Sequence, residues 1–160
     1  MTSRPTHLLL DLDGTVLNTI PGIVASLRHA CEIHLGETIS DEALVFGIGT
    51  PLLEQMQTHW LNVSGKPMDA ERVARMCETY IDHNLAHHDE TVAPYEGIVE
   101  SLQRLYDAGI PLGIVTSKPQ STAQRGLKVC GLQNLFRFVI GFDDVTHPKP
   151  HPEPIYMALT

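Results

Sequence analysis

Carboxylates follow directly after the first apolar segment of this sequence. Asp11 and Asp13 come at the end of the run that starts at His7, and Gly14 follows them. Two carboxylates one residue apart can face a common point if the chain curls after a strand, and glycine permits that curl. Carboxylate oxygens are the ligands that a hard cation such as Mg²⁺ prefers. Asp11 and Asp13 therefore predict a metal site.

Polar groups that could bind an anion follow two further apolar segments. Thr116, Ser117 and Lys118 precede a predicted helix, so their hydroxyls and backbone N–H groups would form a phosphate cradle. Lys149 lies between two prolines, which stiffen the loop that presents its ammonium group. Ligands of open parallel sheets bind at the carboxyl ends of the strands. We therefore expect the metal and the anion at the same sheet edge.

The elements that must position these groups alternate between strands and helices. The apolar run at 7–12 predicts a first strand that is buried. After a long interruption come a helix, a strand, a helix and a strand, at about 98–109, 110–115, 119–130 and 138–140. This alternation predicts a parallel sheet with right-handed crossovers.

The interruption between the first two strands has helical patterns throughout. Apolar residues recur at helical spacing over 21–35 and again after Asp69, which suits a helix N-cap. Between these helices, Thr50 is expected to cap a helix whose first residue is Pro51. Residues 62–67 are predicted to form a loop.

These patterns together predict an α/β protein with two parts. Residues 1–17 and 91–160 would form a Rossmann-like core with a parallel sheet, and residues 18–90 an all-helical cap inserted after the first strand. The sheet is predicted to be truncated at its C-terminal side.

The amino-acid composition limits the kinds of binding partner and the cellular compartment that we expect for this protein. The 160 residues include 11 Lys and Arg against 19 Asp and Glu, a net charge of −8 that disfavours a nucleic-acid partner. Cys31, Cys77 and Cys130 are odd in number and widely spaced, which predicts free thiols in a reducing cytoplasm. The sequence shows no signal-peptide pattern and no membrane-spanning run, so no membrane partner is expected.

Three motifs resemble those of the haloacid dehalogenase-like hydrolases. They are residues 11–15 (DLDGT), 115–118 (VTSK) and 149–154 (KPHPEP), in this order and with a helical insert after the first. Residues 47–52 (GIGTPL) and 94–97 (PYEG) further resemble the phosphoglycolate phosphatase-like members that carry a helical cap. The resemblance covers essentially the whole chain.

The resemblance implies a role for each motif residue. Asp11 would attack phosphorus and form an aspartyl-phosphate, and Asp13 would protonate the leaving oxygen and later deprotonate water. Lys149 would offset the negative charge. Mg²⁺ would be bound by Asp11 and Asp13, the latter through its backbone carbonyl. The residues assigned to binding a small phosphorylated metabolite are Gly14, Thr15, Thr116, Ser117 and Lys118.

The sequence departs from the family pattern after Lys149. Members continue to a further strand that carries one or two metal-binding aspartates, whereas Asp143 and Asp144 precede Lys149. Without that strand, the first strand would expose an unpaired edge. We therefore expect either a fragment or a sheet completed by another chain, for example through homo-oligomer formation or strand exchange, and little activity from these residues alone.

Each site assignment has a structural alternative. Asp11 and Asp13 could form a capped turn, Thr116 could cap a helix, and Lys149 could be a solvated loop residue. His83 and His87 have the i,i+4 spacing of zinc ligands, but no third ligand is identified near them, so a solvated helix face is favoured. His147 and His151 flank Lys149 and could contact substrate or simply occupy a loop.

Two other function classes stay open. A sugar-phosphate mutase with the same motifs would return the phosphoryl group to a sugar, and release of free phosphate would distinguish it from a phosphatase. A non-catalytic binding form is the second. Dehalogenase chemistry is disfavoured by Asp13, since carbon–halogen cleavage needs no acid for the leaving group, and a receiver-type phosphoacceptor domain is disfavoured by the helical insert.

Overall fold

The computed structural model describes residues 5–160, so residues 1–4 of the predicted core lie outside it. The chain forms two compact units, one of residues up to Thr19 with Val92–Thr160 and the other Ile20–Thr91. The strands are β1 (Leu8–Leu10), β2 (Leu17–Asn18), β3 (Ala93–Pro94), β4 (Leu112–Val115) and β5 (Phe138–Ile140). The helices are α1 (Ile20–Leu35), α2 (Asp41–Val45), α3 (Leu52–Ser64), α4 (Ala70–Thr91), α5 (Ile98–Asp107), α6 (Gln120–Val129) and α7 (Glu153–Ala158).

A three-stranded parallel sheet organises the first unit. Its order is β1-β4-β5, with Leu9 opposite Gly113 and Ile114 opposite Val139. The predicted alternation of strands and helices is confirmed. Within the described residues β1 pairs on one side only, which matches the expected free edge.

The core of the first unit joins the sheet to the amphipathic helices. Ile114 of β4 is fully buried, and Leu102 of α5 and Leu127 of α6 are each 1% exposed. Leu12 and Val16, which follow β1, are fully buried in the same cluster. Each such side chain contributes about 1.5–3 kcal/mol by leaving water, so the chain just after β1 is held firmly by the core.

A two-stranded ribbon in the first unit was not predicted. β2 and β3 pair antiparallel, with Leu17 opposite Pro94 and Asn18 opposite Ala93. Each strand has two residues, too few to show an alternating pattern. The sequence boundary at 17/18 therefore cuts β2, whereas the first unit extends to Thr19.

The second unit consists of helices and their connections. Its buried cluster combines side chains of all four helices, including Leu27 of α1, Leu44 of α2, Met56 of α3 and Met76 of α4. The predicted N-cap at Asp69 is confirmed, since its carboxylate accepts the backbone N–H of Arg72 at 2.9 Å.

Three local predictions in the second unit are wrong or incomplete. Pro51, not Thr50, is the N-cap of α3, and the Thr50 hydroxyl instead donates to the Gly47 carbonyl at 2.6 Å. The predicted loop at 62–67 starts late, because α3 continues through Ser64. The short helix α2 was not predicted. Its five residues span little more than one turn, which is too short for a helical period to appear.

Among the helices of the described residues, none combines the length and apolar character needed to cross a membrane. All three cysteines are free thiols. Burial raises the pKa of the Cys31 thiol to about 11, so it behaves as a packed apolar residue.

Candidate active site

The carboxyl ends of the parallel strands bring the predicted residues to one edge of the sheet. Asp11 follows β1, Thr116 follows β4, and the loop that holds Lys149 comes after β5. Because β1 and β5 both run parallel to β4, their ends lie on the same edge.

Asp11 and Lys149 form the first ion pair at this edge. The Lys149 Nζ lies 3.0 Å from Asp11 Oδ2 and also donates to the Val115 carbonyl at 3.3 Å. The other Asp11 oxygen accepts the backbone N–H of Leu12 at 2.8 Å. The predicted approach of Lys149 to Asp11 is therefore present, across a sequence separation that only the sheet can close.

Asp13 and Lys118 form the second ion pair. The Lys118 Nζ lies 3.2 Å from one Asp13 oxygen and 3.3 Å from the other, so it bridges the carboxylate. The sequence had placed Lys118 in the anion cradle. In this structure its ammonium group contacts Asp13 and holds the direction of that carboxylate.

A tight turn begins at Leu12, directly after Asp11, and contains Asp13. The N–H groups of Val16 and Leu17 both donate to the Leu12 carbonyl, at 2.9 and 3.0 Å. Gly14 has a φ of +77°, the left-handed conformation that glycine adopts without steric cost. Gly14 and Thr15 are exposed, so the turn is accessible to a ligand.

Thr116 combines burial with a free donor. The residue is 3% exposed, and its backbone N–H donates to the Ile140 carbonyl at 2.9 Å. Its hydroxyl oxygen accepts the N–H of Lys118 at 3.2 Å, which leaves the hydroxyl proton available to an oxyanion. Ser117 is exposed.

Residues that the sequence did not identify connect β5 to the start of α6. The backbone N–H of Gln120 donates to the Asp143 carboxylate at 2.8 Å, and the Asp144 carboxylate accepts the backbone N–H of Gly141 at 2.8 Å. A Cβ on Gly141 would lie 2.4 Å from the Gln120 nitrogen and 2.8 Å from the Lys118 carbonyl oxygen. The adjacent aspartates were visible in the sequence, but their long-range partners were not.

Glu153 organises the loop that carries Lys149. Its two carboxylate oxygens accept the backbone N–H groups of Thr146 at 2.8 Å and His147 at 3.0 Å. The bond from Thr146, followed by those from His147, lowers the pKa of the Glu153 carboxyl. The loop is thus closed by hydrogen bonds on both sides of Lys149.

The donor atoms at this edge suit a hard dication. Asp11 and Asp13 offer carboxylate oxygens, and the Asp11 side chain is 44% exposed and accessible. Both carboxylates already have an ammonium partner, so the two ion pairs balance their charges. The residues fit Mg²⁺ in donor type.

Among the described residues, His83 and His87 are not part of a group of three metal-ligating side chains. The His83 and His87 rings stack with centroids 4.3 Å apart, and His87 Nδ1 bonds to the His83 carbonyl. Burial, followed by the nearby His29 and His87, lowers the pKa of His83. His83 contacts the Ser26 hydroxyl of α1 at 3.1 Å, whereas His87 is exposed.

Comparisons with known proteins agree with this geometry. The family model described as haloacid dehalogenase-like hydrolase matches residues 8–160. Pyrophosphatase PpaX of Halalkalibacterium halodurans is 40% identical over 152 residues, which cover 95% of this chain and 66% of the relative. The same protein of Anoxybacillus flavithermus is 41% identical over 152 residues, with the same coverage. The chain thus spans just under two thirds of the length of these relatives.

The fold also has counterparts among solved structures. A predicted phosphoglycolate phosphatase from Haemophilus somnus superposes with a TM-score of 0.88 at 22% identity. The match covers 98% of this chain and 71% of that chain. At this identity the likeness concerns the fold.

Proposed function

Because this chain belongs to the haloacid dehalogenase-like hydrolase family, we propose that it hydrolyses a small phosphorylated metabolite through an aspartyl-phosphate. One observation carries the proposal. At the carboxyl edge of a parallel sheet, the Asp11 carboxylate lies 3.0 Å from the Lys149 ammonium group, while Asp13, two residues further along the chain, is paired with a second lysine.

Asp11 acts as the nucleophile in this proposal. Its carboxylate oxygen attacks phosphorus, the bond from phosphorus to the leaving oxygen breaks, and that oxygen takes a proton from Asp13. In the second stage water attacks the phosphorus of the aspartyl-phosphate and gives a proton to Asp13, which releases inorganic phosphate and restores Asp11. The Lys118 contact keeps Asp13 directed for both transfers.

Lys149 and Thr116 bind the phosphoryl oxygens. A dianion that approaches a carboxylate is repelled unless positive charge intervenes, and phosphoryl transfer depends mainly on position and charge. The Lys149 ammonium supplies that charge beside Asp11, and the Thr116 hydroxyl supplies a buried donor. Mg²⁺, held by the Asp11 carboxylate and the Asp13 carbonyl, would offset further charge on the phosphoryl group.

The substrate class has two candidates. A phosphomonoester such as phosphoglycolate follows from the motifs. A diphosphate is the second, favoured by relatives at 40% and 41% identity that are named pyrophosphatases. Phosphate release from phosphoglycolate and from pyrophosphate, measured side by side with Mg²⁺, distinguishes them. Release of free phosphate also excludes the mutase alternative.

The experiment that tests the reaction compares Asp11→Asn with a matched surface variant. Asp107→Asn changes an exposed carboxylate of α5 whose partner is Gln103. In a chain that includes the expected further metal-binding strand, we expect Asp107→Asn to retain Mg²⁺-dependent phosphate release and Asp11→Asn to lose it, while both keep the circular dichroism of the unsubstituted protein. Wild-type turnover in Asp11→Asn would exclude the covalent mechanism.

Other parts of the proposal concern the setting of the enzyme. We infer a cytoplasmic protein, supported by three free thiols. Homo-oligomer formation or strand exchange through the free edge of β1 stays a prediction. Sedimentation of the wild-type protein tests it, since a monomer at all concentrations would contradict it.

A further inference from the structure

We propose that His147, His151 and Glu153 form a second metal site, for a borderline transition-metal dication such as Zn²⁺. Among the described residues, these three form a group of potential metal ligands in which one ligand atom from each residue lies within 4.8 Å of the others. The site is distinct from the carboxylates of Asp11 and Asp13, and it does not depend on the proposed reaction.

The distances are close to those of a chelate. Glu153 Oε2 lies 2.7 Å from His147 Nδ1 and 3.9 Å from His151 Nδ1. A tetrahedral zinc ion with bonds of about 2.0–2.1 Å places its ligand atoms about 3.3 Å apart. One of these separations must therefore open and the other close, each by roughly 0.6 Å. The separation between the two imidazole nitrogens is within 4.8 Å and must close by up to about 1.5 Å. Side-chain rotation can supply these shifts.

The carboxylate is already fixed while the rings are free to adjust. The N–H groups of Thr146 and His147 hold the two Glu153 oxygens. The His147 and His151 side chains are 64% and 51% exposed, so little packing opposes their rotation. All three ligands fall within seven consecutive residues, which keeps the entropic cost of closing the chelate small.

The hydrogen bonds define which lone pairs the ion would use. A carboxylate only accepts, so His147 Nδ1 carries the proton in its 2.7 Å contact with Glu153. The ion takes the place of that proton, which leaves Nδ1 while Nε2 takes one up, and the ring stays neutral. His151 Nδ1 accepts the backbone N–H of Glu153 at 3.2 Å, and the ion would displace that hydrogen bond.

The donor set selects a different metal from the catalytic edge. Imidazole nitrogen suits Zn²⁺, Co²⁺ and Ni²⁺, whereas Mg²⁺ prefers oxygen ligands throughout. Two imidazoles and one carboxylate leave a fourth position for water. Excess Mg²⁺ can therefore occupy Asp11 and Asp13 without competing for the histidine site.

Zinc titration calorimetry of the whole protein in excess Mg²⁺ tests the proposal. We expect one Zn²⁺ per chain, with affinity reduced about tenfold or more in His147→Ala and in His151→Ala. His87→Ala is the matched control, because it removes an exposed histidine of α4 and leaves the loop intact. We expect it to bind as the wild type does.

A second readout identifies the ligands directly. Co²⁺ bound to the wild type and to His87→Ala should show the same visible absorption, and this absorption should be lost or altered in both loop variants. Equal affinity in all four proteins would overturn the proposal, as would the absence of zinc binding by the wild type. Neither outcome bears on phosphate release, so the proposed reaction is judged separately.

Discussion

The two ion pairs of the site differ in how the chain holds them. Lys118 and Asp13 are 11% and 23% exposed, and both lie within a few residues of a strand end. Lys149 and Asp11 are 31% and 44% exposed, and Lys149 reaches Asp11 from a loop nine residues beyond β5. We call Lys118 and Asp13 the inner pair and Lys149 and Asp11 the outer pair. The inner pair is held by the ends of the strands, whereas the outer pair depends on the loop that carries Lys149.

The difference indicates a division of labour. Charge contacts strengthen as water is excluded, so the shielded pair suits the positioning of an acid–base group. The more exposed pair is accessible to a ligand, and an exposed ion pair contributes little stability by itself. Changes to the outer pair should alter turnover, and changes to the inner pair should alter both turnover and folding.

The largest expected effects concern the carboxylates. In a chain that includes the expected further metal-binding strand, Asp11→Asn should reduce turnover by at least about 10⁴-fold, since it removes the proposed nucleophile. Asp13→Asn should reduce it by about 10²–10⁴-fold, the range for one acid–base group. Phosphate release under single-turnover and steady-state conditions measures both. A smaller loss in Asp11→Asn than in Asp13→Asn would contradict the assigned roles.

The lysines provide the sharpest test of the comparison. Lys149→Met should lower kcat/KM by about 10²–10³-fold, as loss of one charge-stabilising donor does, and leave Tm nearly unchanged. Lys118→Met should lower Tm as well, because it leaves the Asp13 carboxylate, 23% exposed, without its partner. Thermal unfolding and steady-state kinetics on both variants measure this. Equal Tm values would show that the inner pair has no structural role.

Alanine substitutions at Gly141 and Gly14 distinguish the effect of steric crowding on stability from the effect of backbone strain. In Gly141→Ala the new methyl group meets the Gln120 nitrogen at 2.4 Å, so we expect a loss of about 1–3 kcal/mol in the free energy of unfolding. In Gly14→Ala nothing lies within 4 Å, and only the φ of +77° opposes the change, at about 1–2 kcal/mol. Denaturant unfolding measures both. An unchanged stability in Gly141→Ala would show that the β5–α6 connection yields easily.

The placement of the main groups could be predicted from the sequence because strand ends are local signals. Asp11 and Thr116 follow apolar runs directly, and parallel strands bring such ends together. The partner of Lys118 could not be predicted, since the direction of a long side chain depends on residues distant in sequence.

Other features escaped prediction for similar reasons. The Gly141 contact with Gln120 joins two loops, and β2 and β3 are too short to show a period. Thr50 was expected at the N-cap because threonine favours it, but its hydroxyl bonds to the Gly47 carbonyl instead. Local propensity was overridden there by a turn that glycine makes available.

The smallest effect concerns the loop of the outer pair. Hydrogen bonds from Thr146 and His147 lower the pKa of Glu153 below its ordinary value of 4.5. A carboxyl whose pKa is lower in the folded state contributes stability above its unfolded pKa and loses it as pH falls through the folded pKa. The Tm of the wild type should therefore exceed that of Glu153→Gln above about pH 5. This difference in Tm should disappear as the pH falls below 4.5.

The control for this prediction is Glu100→Gln, an exposed carboxylate of α5. Glutamine at 153 keeps one carbonyl acceptor but can no longer accept from Thr146 and His147 with two equivalent anionic oxygens. Its Tm should therefore depend less on pH than that of the wild type between pH 3 and 6, whereas Glu100→Gln should follow the wild-type curve. A constant gap between wild type and Glu153→Gln across this range would mean that Glu153 holds the loop by shape and not by charge.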